Sequence, residues 1–150
     1  MDAYLNQLLD PPFAKDPPVK LDIPAKTLGL IYAVLGGIAA LFGLFALVAL
    51  FGLNNVATLT GFSGVWILLV IGSLVSEAGT VLAAWGGYRM YQEDRGGKKP
   101  VVLGLAITVV GGLVSALGAF GGGLPGWILS TAVTFVLYYL VIISRFSEEK

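Results

Sequence analysis

Few residues in this chain are of a type and spacing that could do chemistry, and they centre on Glu77. The stretch "SLVSEAGT" sets that carboxyl inside an apolar run, 65–88, in which no other residue carries a formal charge. Ser73 at i−4 and Thr80 at i+3 share its helical face and make a polar stripe with it. Glu77 follows Trp66 by 11 residues, about 16 Å along a helix, which puts it near the middle of a membrane. An acidic group there is costly and usually faces the interior of a bundle, and burial favours the neutral acid. Two roles fit: a site for a proton or small cation, or a protonated carboxyl that ties helices together. Counting 11 residues from Trp127 reaches Tyr138. A hydrogen bond or close approach between Glu77 and Tyr138 is therefore expected, with Thr134 nearby.

Other chemistry lacks its residues. The chain has no cysteine and no histidine. Disulfides, and thiolate or imidazole ligation of haem, zinc, copper or iron–sulfur clusters, need side chains that it does not carry. The "GFSG" at 61–64 cannot form a Ser-His pair. An aspartyl protease needs two carboxyls where the membrane run holds one. No phosphate-binding loop occurs, and a net charge of zero gives no support to nucleic-acid binding. No catalytic site, metal or cofactor is expected.

The elements that must position Glu77 follow from composition. The chain is 57% hydrophobic and 12% charged, with a mean hydropathy of +0.87, whereas soluble domains carry about 25% charged residues. Crossing a bilayer takes about 20 apolar residues. Runs of that order lie at about 27–53, 65–88, 101–120 and 127–144. The expected fold is an all-α integral membrane protein with four transmembrane helices, residues 27–150, preceded by an arm, residues 1–26. The first run is too long, and too far from residue 1, to read as a cleaved signal.

Charge placement sets the topology. Lys15, Lys20 and Lys26 precede the first helix, Arg89, Arg95, Lys98 and Lys99 join the second to the third, and Arg145 and Lys150 end the chain. The other two connections have no basic residue. Basic residues mark the cytoplasmic side, so both termini are expected there, with the bacterial inner (plasma) membrane as the location. Trp66 and Trp127 then fall at the outer interface, and Tyr88 and Tyr91 near the inner one.

The arm opens with "MDAYLNQLLD", which can form a short amphipathic helix, and continues with "DPPFAKDPPVK", whose paired prolines favour extended polyproline geometry. It reads as a stiff spacer or as a docking arm for a cytoplasmic or surface partner. Pro24 is expected in the first turn of a helix capped by Asp22.

Residues 28–45, "LGLIYAVLGGIAALFGLF", match residues 103–120, "LGLAITVVGGLVSALGAF", at eight of 18 positions with an offset of 75. The expected arrangement is two tandem helical hairpins related by a pseudo-twofold axis along the membrane normal, as in parallel repeats. Gly29, Gly36 and Gly43 recur every seven residues, as do Gly104, Gly111 and Gly118. That spacing keeps one seam on one helix face. Membrane helices associate through close backbone approach, so the first and third helices are expected to pack tightly, against each other or against another subunit.

A glycine-rich helix followed by one with a central glutamate is similar to the rotary ATPase proteolipid. Four helices with one membrane glutamate are similar to small multidrug transporters. The seven-residue glycine spacing, the basic side of the hairpin and the proline arm depart from the first family, and the helix that carries the glutamate departs from the second. No family is assigned. The expected function is that of a non-catalytic membrane subunit packed among lipids and other subunits or copies of itself. The alternative is a small proton- or ion-coupled transporter or channel using Glu77.

Overall fold

The structure is a computed structural model that describes residues 8–15, 17–18, 21–52, 63–119 and 123–146. Four long helices carry the fold: α1 (Ala25–Gly52), α2 (Ser63–Tyr91), α3 (Lys98–Gly118) and α4 (Leu124–Ile143). All four are long and apolar enough to cross a membrane, and the described residues contain no strand. The chain is a four-helix membrane protein.

The helix ends follow local chemistry. α2 runs three residues past the expected end. It stops where Glu93 takes φ 63, Glu93 N donates to the Met90 carbonyl at 3.0 Å and Asp94 N to the Arg89 carbonyl at 3.0 Å. This pair of bonds is a Schellman stop, with glutamate at the left-handed position where glycine is usual. The Asp94 carboxylate then accepts from Gly96 N at 2.8 Å and caps the 3-10 turn Arg95–Gly97. α3 begins at Lys98, earlier than expected, because Pro100 stands third in the helix, where a backbone N–H has no partner to lose. Pro24 is not inside α1. It immediately precedes the helix, and its carbonyl accepts from Leu28 N at 3.2 Å.

α2 is the centre of the bundle, with α3 on one side and α1 on the other. Toward α3 it presents Gly72, Gly79 and Gly86, spaced by seven. They meet Gly111, Gly104 and Gly97, spaced by seven in the opposite direction. A Cβ at Gly79 would stand 2.6 Å from the Gly104 carbonyl, and one at Gly104 would stand 2.5 Å from the Gly79 carbonyl. One at Gly86 would stand 2.6 Å from Val101 N. The backbones touch, so no side chain fits between them. Toward α1 the contacts are Gly29 on Gly87, Gly36 on Ala84 and Gly43 on Glu77.

The expected pairing of the first and third helices is therefore replaced. Gly29, Gly36 and Gly43 face α2, and so do Gly104, Gly111 and Gly118, the last against Leu69. A twofold axis that carries α1 onto α3 and α2 onto α4 would turn an α1–α2 contact into an α3–α4 contact. Equivalent glycines instead meet the same helix. The packing does not obey the pseudo-twofold, although the sequence match stands. The reason is α2, whose own glycine row offers α3 a closer backbone approach than α4 does.

α4 lies on α3 with a looser fit. It starts beside Ala116, since a Cβ at Gly123 would lie 3.1 Å from the Ala116 Cα. The Trp127 indole turns inward, and its Nε1 donates to the Val109 carbonyl at 2.9 Å. α1 and α4 barely touch.

The segments just before α1 and just after α4 meet at one end of the bundle, the terminal end. Ala25 N donates to the Arg145 carbonyl at 2.7 Å, and Arg145 N to the Ile23 carbonyl at 3.0 Å. Lys98 Nζ donates to the Ser144 carbonyl at 2.6 Å and the Ile142 carbonyl at 3.2 Å, closing the C-terminus of α4. Around these bonds Ala25, Leu28, Met90, Val101, Val141 and Phe146 form the buried core. The described basic residues, from Lys26 to Arg145, all sit on segments that converge here.

The described part of the arm is folded onto the bundle. Pro12–Lys15 is one helical turn rather than polyproline, with the second proline of its pair in the first position, which tolerates it. The Phe13 ring meets Tyr138 edge-on at 6.1 Å and lies 5.6 Å from Tyr139. The Tyr138 hydroxyl donates to the Leu8 carbonyl.

Candidate functional site

The site is a groove of about 430 Å³ with Glu77 in its lining. Its walls are short stretches of all four helices. α1 contributes Gly43 to Leu50, α2 Ser73 to Glu77, and α3 Gly112 to Ala119; the start of α4 contributes Gly126 to Ser130. The numbering runs away from the terminal end on α1 and α3 and toward it on α2 and α4. On every helix the groove therefore lies between Glu77 and the end remote from the termini.

Glu77 is seated by a missing side chain. Its carboxyl lies over Gly43, and a Cβ built there would fall onto the carboxyl, 2.6 Å from Cδ. Glu77 Oε1 is buried and has no hydrogen-bond partner among the described residues. Leaving such an atom unsatisfied costs about 1–3 kcal/mol. Tyr32 Oη and Thr131 Oγ1 are also buried without a partner among the described residues, but neither residue lines the groove.

Hydroxyl groups lie along the groove and beside it. Ser73 Oγ and Ser115 Oγ lie 3.3 Å apart, linking α2 to α3. Thr108 Oγ1 donates to the Gly104 carbonyl at 2.9 Å and approaches the Ser76 carbonyl at 3.4 Å. Ser76 and Ser130 complete the polar lining.

Of the five residues expected to form the site, two share it. Glu77 and Ser73 line the groove. Thr80 points along its own helix, donating to the Ser76 carbonyl at 3.1 Å, and is not part of the lining. Thr134 and Tyr138 lie elsewhere. Thr134 Oγ1 donates to the Ser130 carbonyl at 2.9 Å, and both residues line an apolar crevice of about 250 Å³ between α3 and α4 that Leu8 borders. The expected bond from Glu77 to Tyr138 is absent. Equal counts from Trp66 and Trp127 assumed that both helices start at one level. α4 instead starts beside Ala116, which slides Tyr138 toward the terminal end, beside Val102 and Leu105.

From the sequence, Ser76, Ser115 and Ser130 are not singled out, and Gly43 reads only as a helix-packing position. Signals existed: each serine sits within an apolar run, and Gly43 belongs to a seven-residue row. Which faces meet is a property of the assembled bundle. A groove with one carboxyl and several hydroxyls can exchange a proton, hold a small cation, or hydrogen-bond a polar group that enters it. Comparison with known protein families, curated proteins and solved structures returns no match.

Proposed function

We propose that the chain is a non-catalytic integral membrane subunit that packs in and stabilises a larger membrane complex or a homo-oligomer. One observation carries this reading: α1 and α4 leave the groove between them uncovered, and in it a buried oxygen of the Glu77 carboxyl lacks a partner among the described residues. Groups of that kind are satisfied by association with other helices. The bacterial inner membrane with cytoplasmic termini is the proposed setting, supported by the basic residues gathered at the terminal end. The arm would offer a cytoplasmic or surface partner the faces not engaged with Tyr138 and Tyr139. Extraction in mild detergent, followed by native mass measurement, should return the chain with stoichiometric partners or as a defined oligomer. A lone monomer that keeps its thermal stability would defeat the proposal.

The second reading is a small proton- or ion-coupled transporter using Glu77, favoured by the placement of that carboxyl in a groove that four serines also line. In liposomes, Glu77→Gln should then abolish a pH-dependent flux while assembly persists. An unchanged flux removes the reading.

A further inference from the structure

Among the described residues, the groove lies on one side of Glu77 and close backbone packing on the other. On the terminal side of the carboxyl, α2 is pressed backbone to backbone against both neighbours. Gly79 lies on Gly104 and Gly86 on Gly97 toward α3, and Gly87 on Gly29 toward α1. Below those contacts Tyr32, Met90 and Val101 are buried. No groove wall lies on that side. On the other side the groove extends from Gly43 to Leu50 on α1 and from Gly112 to Ala119 on α3, about two helical turns, or roughly 10 Å.

The lining is mixed: Ala46, Leu47, Leu50, Ala116 and Trp127 are apolar, while Glu77 and four serines give water places to bind. A water molecule takes about 30 Å³ and needs two to four polar partners. Glu77, Ser73, Ser76, Ser115 and Ser130 offer them. A hydrocarbon chain would offer Glu77 Oε1 nothing.

No other charge competes for the proton. The carboxyl lies over Gly43, and the groove it shares is lined by Leu47 from α1, Gly112 and Ser115 from α3, and Trp127 and Ser130 from α4. Its own helix adds Ser73 and Ser76. Among the described residues lining the groove, Glu77 is the only acid and there is no base.

We infer that the groove is a water-filled vestibule that admits protons to Glu77 only from the membrane side remote from the termini. The inference deepens the transport reading and rests on it only in treating Glu77 as the proton acceptor. One-sided access makes this arrangement a binding site and not a continuous channel.

The absence of native cysteine makes the test direct. The full chain, reconstituted in one orientation in liposomes, carries Ser130→Cys or, should that variant fail to fold, Ala119→Cys. Thiolate is the reactive form, and it forms in water and not in hydrocarbon. A charged, impermeant thiosulfonate should modify either cysteine from the remote side at least tenfold faster than Ile38→Cys on the exposed face of α1. From the terminal side it should modify neither. Separately, a lipid-soluble carbodiimide, which adds to protonated carboxyls, should label wild type and not Glu77→Gln. Its rate should fall as the pH of the remote compartment rises and ignore the terminal compartment. Modification from the terminal side, cysteine reaction with lipid-soluble maleimide alone, or a label that follows terminal-side pH would overturn the inference. A protein that passes both tests yet carries no flux loses the transport reading and keeps this one.

Discussion

At the scale of single residues, two carboxylates in this chain live in opposite surroundings. Glu77 is set over a glycine in an apolar bundle. Asp94 lies in the turn outside the spans, where the Gly96 N–H and then the Arg89 side chain hold its carboxyl below the usual aspartate range. Arg89 Nε donates to it at 2.8 Å, and the ion pair closes at 2.5 Å. The "YQEDRGGKK" cluster, which reads as a plain solvated turn, is thus a built connection. A lowered folded value means that the charged form of Asp94 stabilises the fold. Its contribution is whole above the unfolded aspartate value of about 4 and is lost as pH falls through the lower, folded one. Asp94→Asn should therefore unfold at a lower temperature than wild type from neutral pH down to about 5. The gap should close in stronger acid. Melting curves across that range check it, and a gap that widens in acid would reverse the sign.

At the scale of elements, the glycine rows decide which helices touch. α2 carries two faces, one for each neighbour: three glycine pairs meet on the face toward α3, and one, Gly87 with Gly29, on the face toward α1. A Cβ at Gly79 would stand 2.5 Å from Thr108 Oγ1, so Gly79→Leu must force α2 and α3 apart. Overpacking of this kind costs about 1–3 kcal/mol, more where the backbone itself blocks the way. At Gly37 and Gly126 an added Cβ meets nothing within 4 Å, so Gly37→Leu and Gly126→Leu should leave the bundle intact. Comparing the thermal unfolding of the three variants in one detergent tests this ordering. Equal losses would mean that glycine serves these helices only as a small residue common in membranes.

For the whole molecule, the terminal end acts as a clasp. The segments flanking α1 and α4, the start of α3 and the stop of α2 converge on it, and Phe146 is 5% exposed within it. Lys98 Nζ lies 5.4 Å from the centre of the Phe146 ring while also capping α4. α4 is otherwise the loosest helix, so this clasp has an outsized share in holding it. Phe146→Ala should destabilise the fold by about 3–5 kcal/mol. It should also raise hydrogen exchange in α4 before α2 or α3. Uniform exchange across all four helices would show that α4 is held by its contacts with α3 instead.

The number and approximate extent of the helices followed from the amino-acid sequence alone, since a bilayer core demands long apolar runs and this chain has four. So did the gathering of Lys26, Arg89, Arg95, Lys98, Lys99 and Arg145 at one end, because alternating crossings return every second connection to the same side. The partners of each face needed the tertiary structure. Gly29, Gly36 and Gly43 announce a seam, but a seam does not name the helix that fills it, and the matching row Gly72, Gly79 and Gly86 lay in a segment with no repeat to draw attention to it. Tyr138 fell beside Leu8 instead of Glu77 because the level at which α4 begins depends on Gly123 resting on Ala116. Periodicity along one helix fixes which residues share a face; rotation and sliding between helices are settled only when every backbone contact is made at once.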